Sequence, residues 1–190
     1  MKICIVFHSV CGNTFLIAKA FEKTLLSAGH EVMLRRVVDA DWFEKPDVSE
    51  NIRGVLQALR AVPEAKPEVL LQADLILMGS PVYFGNVSAE LKAFMDSTGA
   101  LWFQGKLVGK KFAAFVSAGN TEGGGDLTLS ALHTYAKYMG MLSVPLSVNT
   151  LPGENVNAFG LIQYSNGKAP EALDNRTLRI VEHWSRTFSL

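Results

Sequence analysis

The chain of 190 residues has only two cysteines, Cys4 and Cys11. A disulfide framework and a four-cysteine metal centre are therefore excluded. An excess of charge is also missing, since 18 basic residues face 18 acidic ones, whereas nucleic-acid binders usually carry a basic excess. No apolar run reaches the roughly 18 residues of a membrane span, and His8 and Ser9 interrupt the apolar start too early for a signal peptide. These absences predict a cytoplasmic protein with no membrane span and no nucleic-acid partner.

Strand and helix patterns alternate along the chain, which is 48% hydrophobic and 19% charged. The length and composition suit one domain, residues 1–190, with a substantial core. Strands are predicted at Lys2–Phe7, Glu31–Val38, Leu75–Met78, Lys111–Ser117 and Leu142–Val148, and helices at Asn13–Ala28, Asn51–Ala61, Ser88–Ser97, Asp126–Met139 and Glu171–Phe188, with Ser88 and Asp126 as caps. This alternation is typical of an α/β fold with right-handed crossovers. We expect a doubly wound, flavodoxin-like parallel sheet of five strands in the order 2-1-3-4-5, with Pro145 in the edge strand.

The segment HSVCGNT joins the first strand to the first helix. Backbone amides at the start of a helix, together with the positive end of its dipole, favour an anion there. Ser9, Asn13 and Thr14 add polar donors, and Gly12 lets the backbone wrap closely. No Lys or Arg lies between Ser9 and Thr14, and neither GxxxxGK[ST] nor GxGxxG is matched. The loop therefore suits a single phosphate monoester, and the alternative is an ordinary strand-to-helix turn.

Two further loops follow the third and fourth strands. GSPVYFGN carries Tyr83 and Phe84 between glycines and a proline, and aromatic side chains suit the faces of a planar heteroaromatic ring. SAGNTEGGG carries four glycines, which indicate either close approach of the backbone to a ligand or a floppy turn. We expect both loops to meet the Ser9–Thr14 segment, called the phosphate loop below, in one crevice between the first and third strands. The alternative for Tyr83 and Phe84 is ordinary cover of the core.

The stretch that begins at Gly79 and continues through the predicted fifth strand resembles a known family. Its motifs are PxxFGN, F-[ML]-D-x-TG-x-LW, G-x-L-x-GK, S-x-G and GM-x-x-VP, in family order over roughly half of the chain. These are similar to the motifs of flavodoxin-like NAD(P)H:quinone oxidoreductases of the tryptophan-repressor-binding-protein type (WrbA). The resemblance implies FMN as the cofactor, NAD(P)H as the co-substrate, a quinone-like acceptor, and a homodimer or homotetramer.

The resemblance also implies a role for individual residues. The set at the FMN phosphate is Ser9, Val10, Cys11, Gly12, Asn13 and Thr14. The set at the ring system is Pro81, Val82, Tyr83, Phe84, Gly85 and Asn86 on one side and Ser117, Ala118, Gly119, Asn120, Gly123 and Gly124 on the other. Tyr83 and Trp102 are the candidate catalytic residues, because Trp102 matches a tryptophan that walls the substrate site in the family. The alternative for Trp102 is a buried anchor after its helix.

Three positions depart from the family pattern. Tyr83 replaces an arginine and removes a charged contact to the nicotinamide, and Cys11 replaces a tyrosine that covers the site. The helix before Gly140 lacks the family's histidine pair, so we interpret His133 as a packing or surface histidine.

Two other functions stay open. One is a one-electron carrier, which the absence of a charged docking face disfavours, and the other is a module that binds FMN without turnover.

Overall fold

The computed structural model describes residues 1–39, 50–147, 149, 151, 153–167 and 172–188. Its strands are β1 (Lys2–Phe7), β2 (Glu31–Arg36), β3 (Leu75–Pro81), β4 (Lys111–Ala118), β5 (Leu142–Ser143) and β6 (Leu161–Tyr164). Its helices are α1 (Asn13–Ser27), α2 (Glu50–Arg60), α3 (Ala89–Ser97), α4 (Gly99–Phe103), α5 (Gly125–Tyr138) and α6 (Asn175–Thr187), with a 3-10 helix at Pro67–Gln72. None of the helices in the described ranges has the length and hydropathy that a bilayer crossing requires.

The strands lie side by side in the order β2-β1-β3-β4-β5, and every pairing is parallel. The predicted flavodoxin-like order is therefore confirmed. Side chains of β1 alternate between two cores, with Ile3, Ile5 and Phe7 packing on the side of α1 and α6, and Cys4 and Val6 on the side of α3 and α5. Because both faces of the sheet are covered, the inner strands β1, β3 and β4 are mostly buried and largely apolar.

The edge beside β4 is divided between two strands. The sequence predicts one strand at Leu142–Val148, whereas β5 has only two residues and β6 pairs with the following part of β4. Pro145 has no amide hydrogen and cannot extend the ladder. The chain therefore leaves the sheet near Pro145 and returns to the same edge as β6. Val148 lies outside the described residues.

Two predicted helix starts need correction. The sequence predicts Asp126 as the cap of α5, but Gly124 takes that position with a φ of 80°, and Asp126 lies in the first turn, where a carboxylate interacts favourably with the helix dipole. Helix α6 follows Asp174, whose Oδ1 accepts a backbone hydrogen bond at 2.7 Å. The predicted start at Glu171 lies outside the described residues. The cap of α3 by Ser88 is confirmed, through a 3.2 Å bond from a backbone amide to its Oγ.

His133 links α5 to the divided edge of the sheet. Its buried imidazole has Nδ1 at 2.8 Å from Ser143 Oγ and Nε2 at 2.6 Å from the Phe159 carbonyl oxygen. Because a carbonyl oxygen only accepts, Nε2 carries the proton and Nδ1 accepts from the serine hydroxyl. The rings of Phe112 and Phe159 meet the imidazole edge to face. His133 is therefore a packing histidine.

Burial lowers the pKa of His133 below its ordinary value of 6.5. The unfolded chain then binds the proton more tightly, so the stability contributed by neutral His133 is complete above pH 6.5 and is lost as the pH falls through the folded-state pKa. We expect the free energy of unfolding to decrease between neutral pH and about pH 5, and to decrease less in His133→Asn. Urea titrations of both proteins at the two pH values check this. An equal decrease in both would contradict it.

Candidate active site

The ends of β1, β3 and β4 lie next to one another. Phe7, the last residue of β1, pairs with Gly79, and His8 N donates to Gly79 O at 3.0 Å. On the other side of β3, Val82 N donates to Ser117 O at 2.9 Å. The three loops that the sequence singles out therefore start from one edge of the sheet. That edge includes the point between β1 and β3 where the strand order reverses, which is the usual ligand position in such sheets.

A cleft of about 240 Å³ opens between these loops. The predicted residues that form its walls are Ser9, Val10, Cys11, Asn13, Thr14, Pro81, Val82, Tyr83, Ser117 and Gly119. Two further wall residues, Ser165 and Gly167, belong to the turn after β6. Sequence reasoning missed them, although the run SNG is a turn signal. Ser165 N donates to Ala118 O at 2.8 Å, which fixes this turn against the end of β4.

Other predicted site residues are not on the cleft walls. They are Gly12, Phe84, Gly85, Asn86, Ala118, Asn120, Gly123, Gly124 and Trp102. Trp102 lies in α4 and is 55% exposed, and Phe103 beside it is 85% exposed. Trp102 is therefore not a buried anchor, and α4 presents two neighbouring aromatic side chains at the surface.

Two hydroxyl groups in the loop from Ser9 to Thr14 are available as hydrogen-bond donors. Ser9 Oγ accepts from Gly12 N at 3.2 Å and from Phe15 N at 3.3 Å, so its hydroxyl hydrogen remains for a further acceptor. Thr14 Oγ1 is buried and has no hydrogen-bond partner among the described residues. A buried polar atom left in this state destabilises the fold by about 1–3 kcal/mol. A phosphate oxygen in the cleft would accept from Thr14 and remove that penalty, so the donor set fits a phosphate monoester.

Gly12 is required by both conformation and space. Its φ is 100°, in the left-handed region that side chains disfavour. A Cβ at this position would lie 2.6 Å from Val55 Cγ1 on α2. The phosphate loop is therefore held close against α2 on its outer side.

The segment from Tyr83 to Asn86 is a tight turn. Tyr83 N donates to Asn86 O and Asn86 N donates to Tyr83 O, both at 3.0 Å. The central residues, Phe84 and Gly85, have φ values of 52° and 72°, as in a type I′ turn. Phe84 is fully exposed in this conformation, which is strained by about 1–3 kcal/mol for a bulky residue. The alternative that Phe84 covers the core is therefore wrong.

The glycine-rich loop contacts this turn directly. Gly124 has a φ of 80°, and a Cβ there would lie 2.8 Å from Gly85 Cα. One interpretation of the four glycines is that they let the backbone approach a ligand closely. At Gly124 the close approach is to Gly85 in the neighbouring loop. The two glycines couple the positions of the loops after β3 and β4.

The environment of Tyr83 disfavours its phenolate form. Burial raises the pKa of Tyr83 above its ordinary value of 10.0, and electrostatic repulsion from Cys11, Glu90 and Asp39 raises it further. The hydroxyl, which is protonated at neutral pH as in any ordinary tyrosine, can donate a hydrogen bond. The two cysteine thiols differ in exposure. Cys4 is buried, and this burial raises its pKa to about 12. Cys11 is partly exposed on the cleft wall.

A second cavity of about 220 Å³ lies between the start of α5, the segment before β6, and α6. One charged wall residue, Arg176, donates to the backbone carbonyls of Ile162 and Asn155 at 3.3 and 2.6 Å. The guanidinium also lies 3.4 Å from the Glu154 carboxylate. Arg176 therefore links α6 to β6 beside this cavity. The cleft at the strand ends, where the three predicted loops meet, is the candidate active site.

Two curated relatives are similar over most of the chain. A protein from Deinococcus radiodurans named NAD(P)H dehydrogenase (quinone) is 34% identical over 181 residues, which is 94% of this chain and 90% of the relative. A protein of the same name from Aromatoleum aromaticum is 39% identical over 147 residues, or 77% of this chain and 70% of the relative.

Solved structures and a family model give consistent results. The flavodoxin, WrbA-like protein from Agrobacterium tumefaciens matches with a TM-score of 0.66 and 22% identity, over 98% of this chain and 93% of that chain. Flavodoxin 1 from Bacillus cereus matches with a TM-score of 0.66 and 16% identity, over 100% and 97%. These two likenesses support the fold. The model of the family described as NADPH-dependent FMN reductase matches residues 1–154, and the chain therefore belongs to that family.

Proposed function

We propose that this chain is an FMN-dependent NAD(P)H:quinone oxidoreductase that binds FMN in the cleft between the ends of β1, β3 and β4. The observation that carries the proposal is the unpartnered, buried hydroxyl of Thr14 beside the Ser9 hydroxyl, in a loop with no basic side chain. These neutral donors suit one phosphate monoester at a helix start. The names of the two curated relatives support the choice of NAD(P)H and a quinone as substrates.

In this proposal each loop holds a different part of the cofactor. Residues 9–14 bind the phosphate, residues 81–86 lie along one side of the ring system, and residues 117–124 lie at its other edge. Ser165 and Gly167 close the cleft wall beside this second edge. Because Gly124 lies against Gly85, the two loops at the ring keep a fixed separation before the cofactor binds, which lowers the ordering cost of binding.

The overall reaction converts NAD(P)H, a proton and a quinone into NAD(P)+ and a quinol. FMN supplies the redox chemistry by accepting a hydride equivalent from one substrate and reducing the other. The protein binds and orients the reactants. Tyr83, whose hydroxyl is protonated at neutral pH, donates a hydrogen bond to the substrate oxygen. Phe84 and Trp102 provide exposed aromatic surface for stacking.

The exposed aromatic residues also support assembly. Phe84, Trp102 and Phe103 would be unusually large apolar groups to leave in water on one chain. We therefore include a homodimer or homotetramer in the proposal, in which the surface of one chain covers the cleft of another. The chain acts in the cytoplasm as a single domain over residues 1–190.

Absorbance spectroscopy and steady-state kinetics test this proposal. The apo-protein should bind one FMN per chain, and NADH or NADPH should bleach the bound flavin until a quinone restores its colour. Because both substrates use one cleft, double-reciprocal plots should be parallel, as in a ping-pong mechanism. Bound FMN that is not bleached by either nicotinamide, but cycles with a flavodoxin reductase, would make the chain an electron carrier. Failure to bind FMN would refute the proposal entirely.

The contact between Gly124 and Gly85 gives a matched pair of variants. Gly124→Ala and Gly29→Ala place the same methyl group at φ values of 80° and 82°, but Gly29 has open space around it. Both should lose about 1–2 kcal/mol of stability from the left-handed conformation. Only Gly124→Ala should weaken FMN binding, by about tenfold or more, because the ring loop must move. Fluorescence titration with FMN measures this, and equal affinities in the two variants would contradict the coupling of the loops.

A further inference from the structure

A buried histidine lies between two carboxylates just before the phosphate loop. His8 follows β1 and Asp39 comes after β2, and their side chains are 2% and 6% exposed. Glu90 lies in the first turn of α3. His8 Nε2 is 3.2 Å from Asp39 Oδ2, and His8 Nδ1 is 3.5 Å from Glu90 Oε2. One donor atom from each of the three residues lies within 4.8 Å of the others. The proposed reaction uses none of these side chains as a substrate or cofactor contact.

The hydrogen bond to Asp39 fixes which nitrogen of His8 carries a proton. An ionised carboxylate only accepts, so Nε2 donates to Asp39 Oδ2. In the neutral imidazole, Nδ1 then presents a lone pair toward Glu90 Oε2. Among the described residues, neither Nδ1 of His8 nor Oε2 of Glu90 has a hydrogen-bond partner, and both atoms are buried. Two acceptors face one another here, which is unfavourable unless a cation lies between them.

The separation of the two acceptors distinguishes a metal ion from a proton. A charge-assisted N–H···O bond is about 2.7–2.9 Å long, which is much shorter than the observed 3.5 Å. Zinc binds nitrogen and carboxylate oxygen at about 2.0–2.2 Å. An ion about 2.1 Å from both atoms would subtend an angle of about 113°, close to that of a tetrahedral site. The gap therefore has the size of a bridging metal ion.

The third residue completes an arrangement common at metal centres. Metal-ligating histidines usually donate their other ring N–H to a carboxylate, which fixes the tautomer and the ring orientation. Asp39 is in that position relative to His8. A cation bound between His8 and Glu90 would also lie near the second carboxylate, that of Asp39. Mixed imidazole and carboxylate donors suit Zn²⁺, Mn²⁺ or Fe²⁺ more than a soft ion.

We propose that His8 Nδ1 and Glu90 Oε2 bind a divalent transition-metal ion, with Asp39 as the positioning residue behind His8. The remaining coordination positions are open to water or to an anionic ligand. Because His8 immediately precedes Ser9, the ion adds positive charge beside a phosphate loop that has no Lys or Arg of its own between Ser9 and Thr14. Metal binding itself does not depend on the proposed reaction.

Metal titration of the tag-free, chelator-treated protein tests the site, with FMN bound and without it. Calorimetry with Zn²⁺ and the loss of the free Mn²⁺ signal in electron paramagnetic resonance should each show one ion per chain. Glu90→Gln and His8→Gln should weaken binding by at least about tenfold, and Asp39→Asn by about 10–100-fold. Asp96→Asn is the matched control, because Asp96 is on the same helix as Glu90 but is exposed and paired with Lys92. It should bind like the wild type.

Three results would overturn the proposal. The first is the absence of saturable Zn²⁺ and Mn²⁺ binding in the wild type, which would mean that a proton occupies the gap. The second is unchanged affinity in Glu90→Gln; because Glu90 is partly exposed, this variant decides the question if His8→Gln does not fold by circular dichroism. The third is loss of binding in Cys11→Ser with retention in Glu90→Gln, which would assign the ion to the cleft thiol. Failure of FMN to bind, measured separately by absorbance, would leave the metal result unaffected.

Discussion

Parallel pairing of β1, β3 and β4 is the constraint on which the site depends. Parallel strands end at the same edge of a sheet, so the hydrogen bonds between His8 and Gly79 and between Val82 and Ser117 bring three distant loops together. The register leaves little freedom, because both faces of these strands are buried and a slip by one residue would turn apolar side chains to the wrong core. A cleft with fixed walls follows from the sheet before any ligand contact is made.

Close packing between the loops adds a second level of constraint. A Cβ at Gly12 would lie 2.6 Å from Val55 Cγ1, and a Cβ at Gly124 would lie 2.8 Å from Gly85 Cα, so either one would force its neighbour to shift. The turn that contains Gly85 also holds Phe84 in a strained, fully exposed conformation. Stability is therefore given up locally at the mouth of the cleft, while the strands behind it remain fully buried. Such a distribution is typical of a site prepared for binding.

The strand order could be predicted from the sequence because alternating strand and helix patterns are local signals. The segment from Ser9 to Thr14 is also local, and all of its residues except Gly12 lie on the cleft wall. Other features depend on contacts between distant residues. Ser165 reaches the cleft only because β6 rejoins β4 after Pro145 interrupts the edge, and His8, Asp39 and Glu90 meet only once three elements are packed. The cap of α5 was predicted two residues too late, at Asp126, because the left-handed conformation of Gly124 that begins the helix is visible only in the structure.

Hydrogen–deuterium exchange of the apo-protein and the FMN-loaded protein tests the central claim most directly. If FMN lies at the ends of β1, β3 and β4, the amides that gain protection should fall in residues 9–15, 82–86 and 117–124. The amides lining the cavity between α5 and α6 should exchange at the same rate in both states. Protection confined to that cavity, around Asn155 and Gly160, with unchanged exchange in the three loops, would contradict the account.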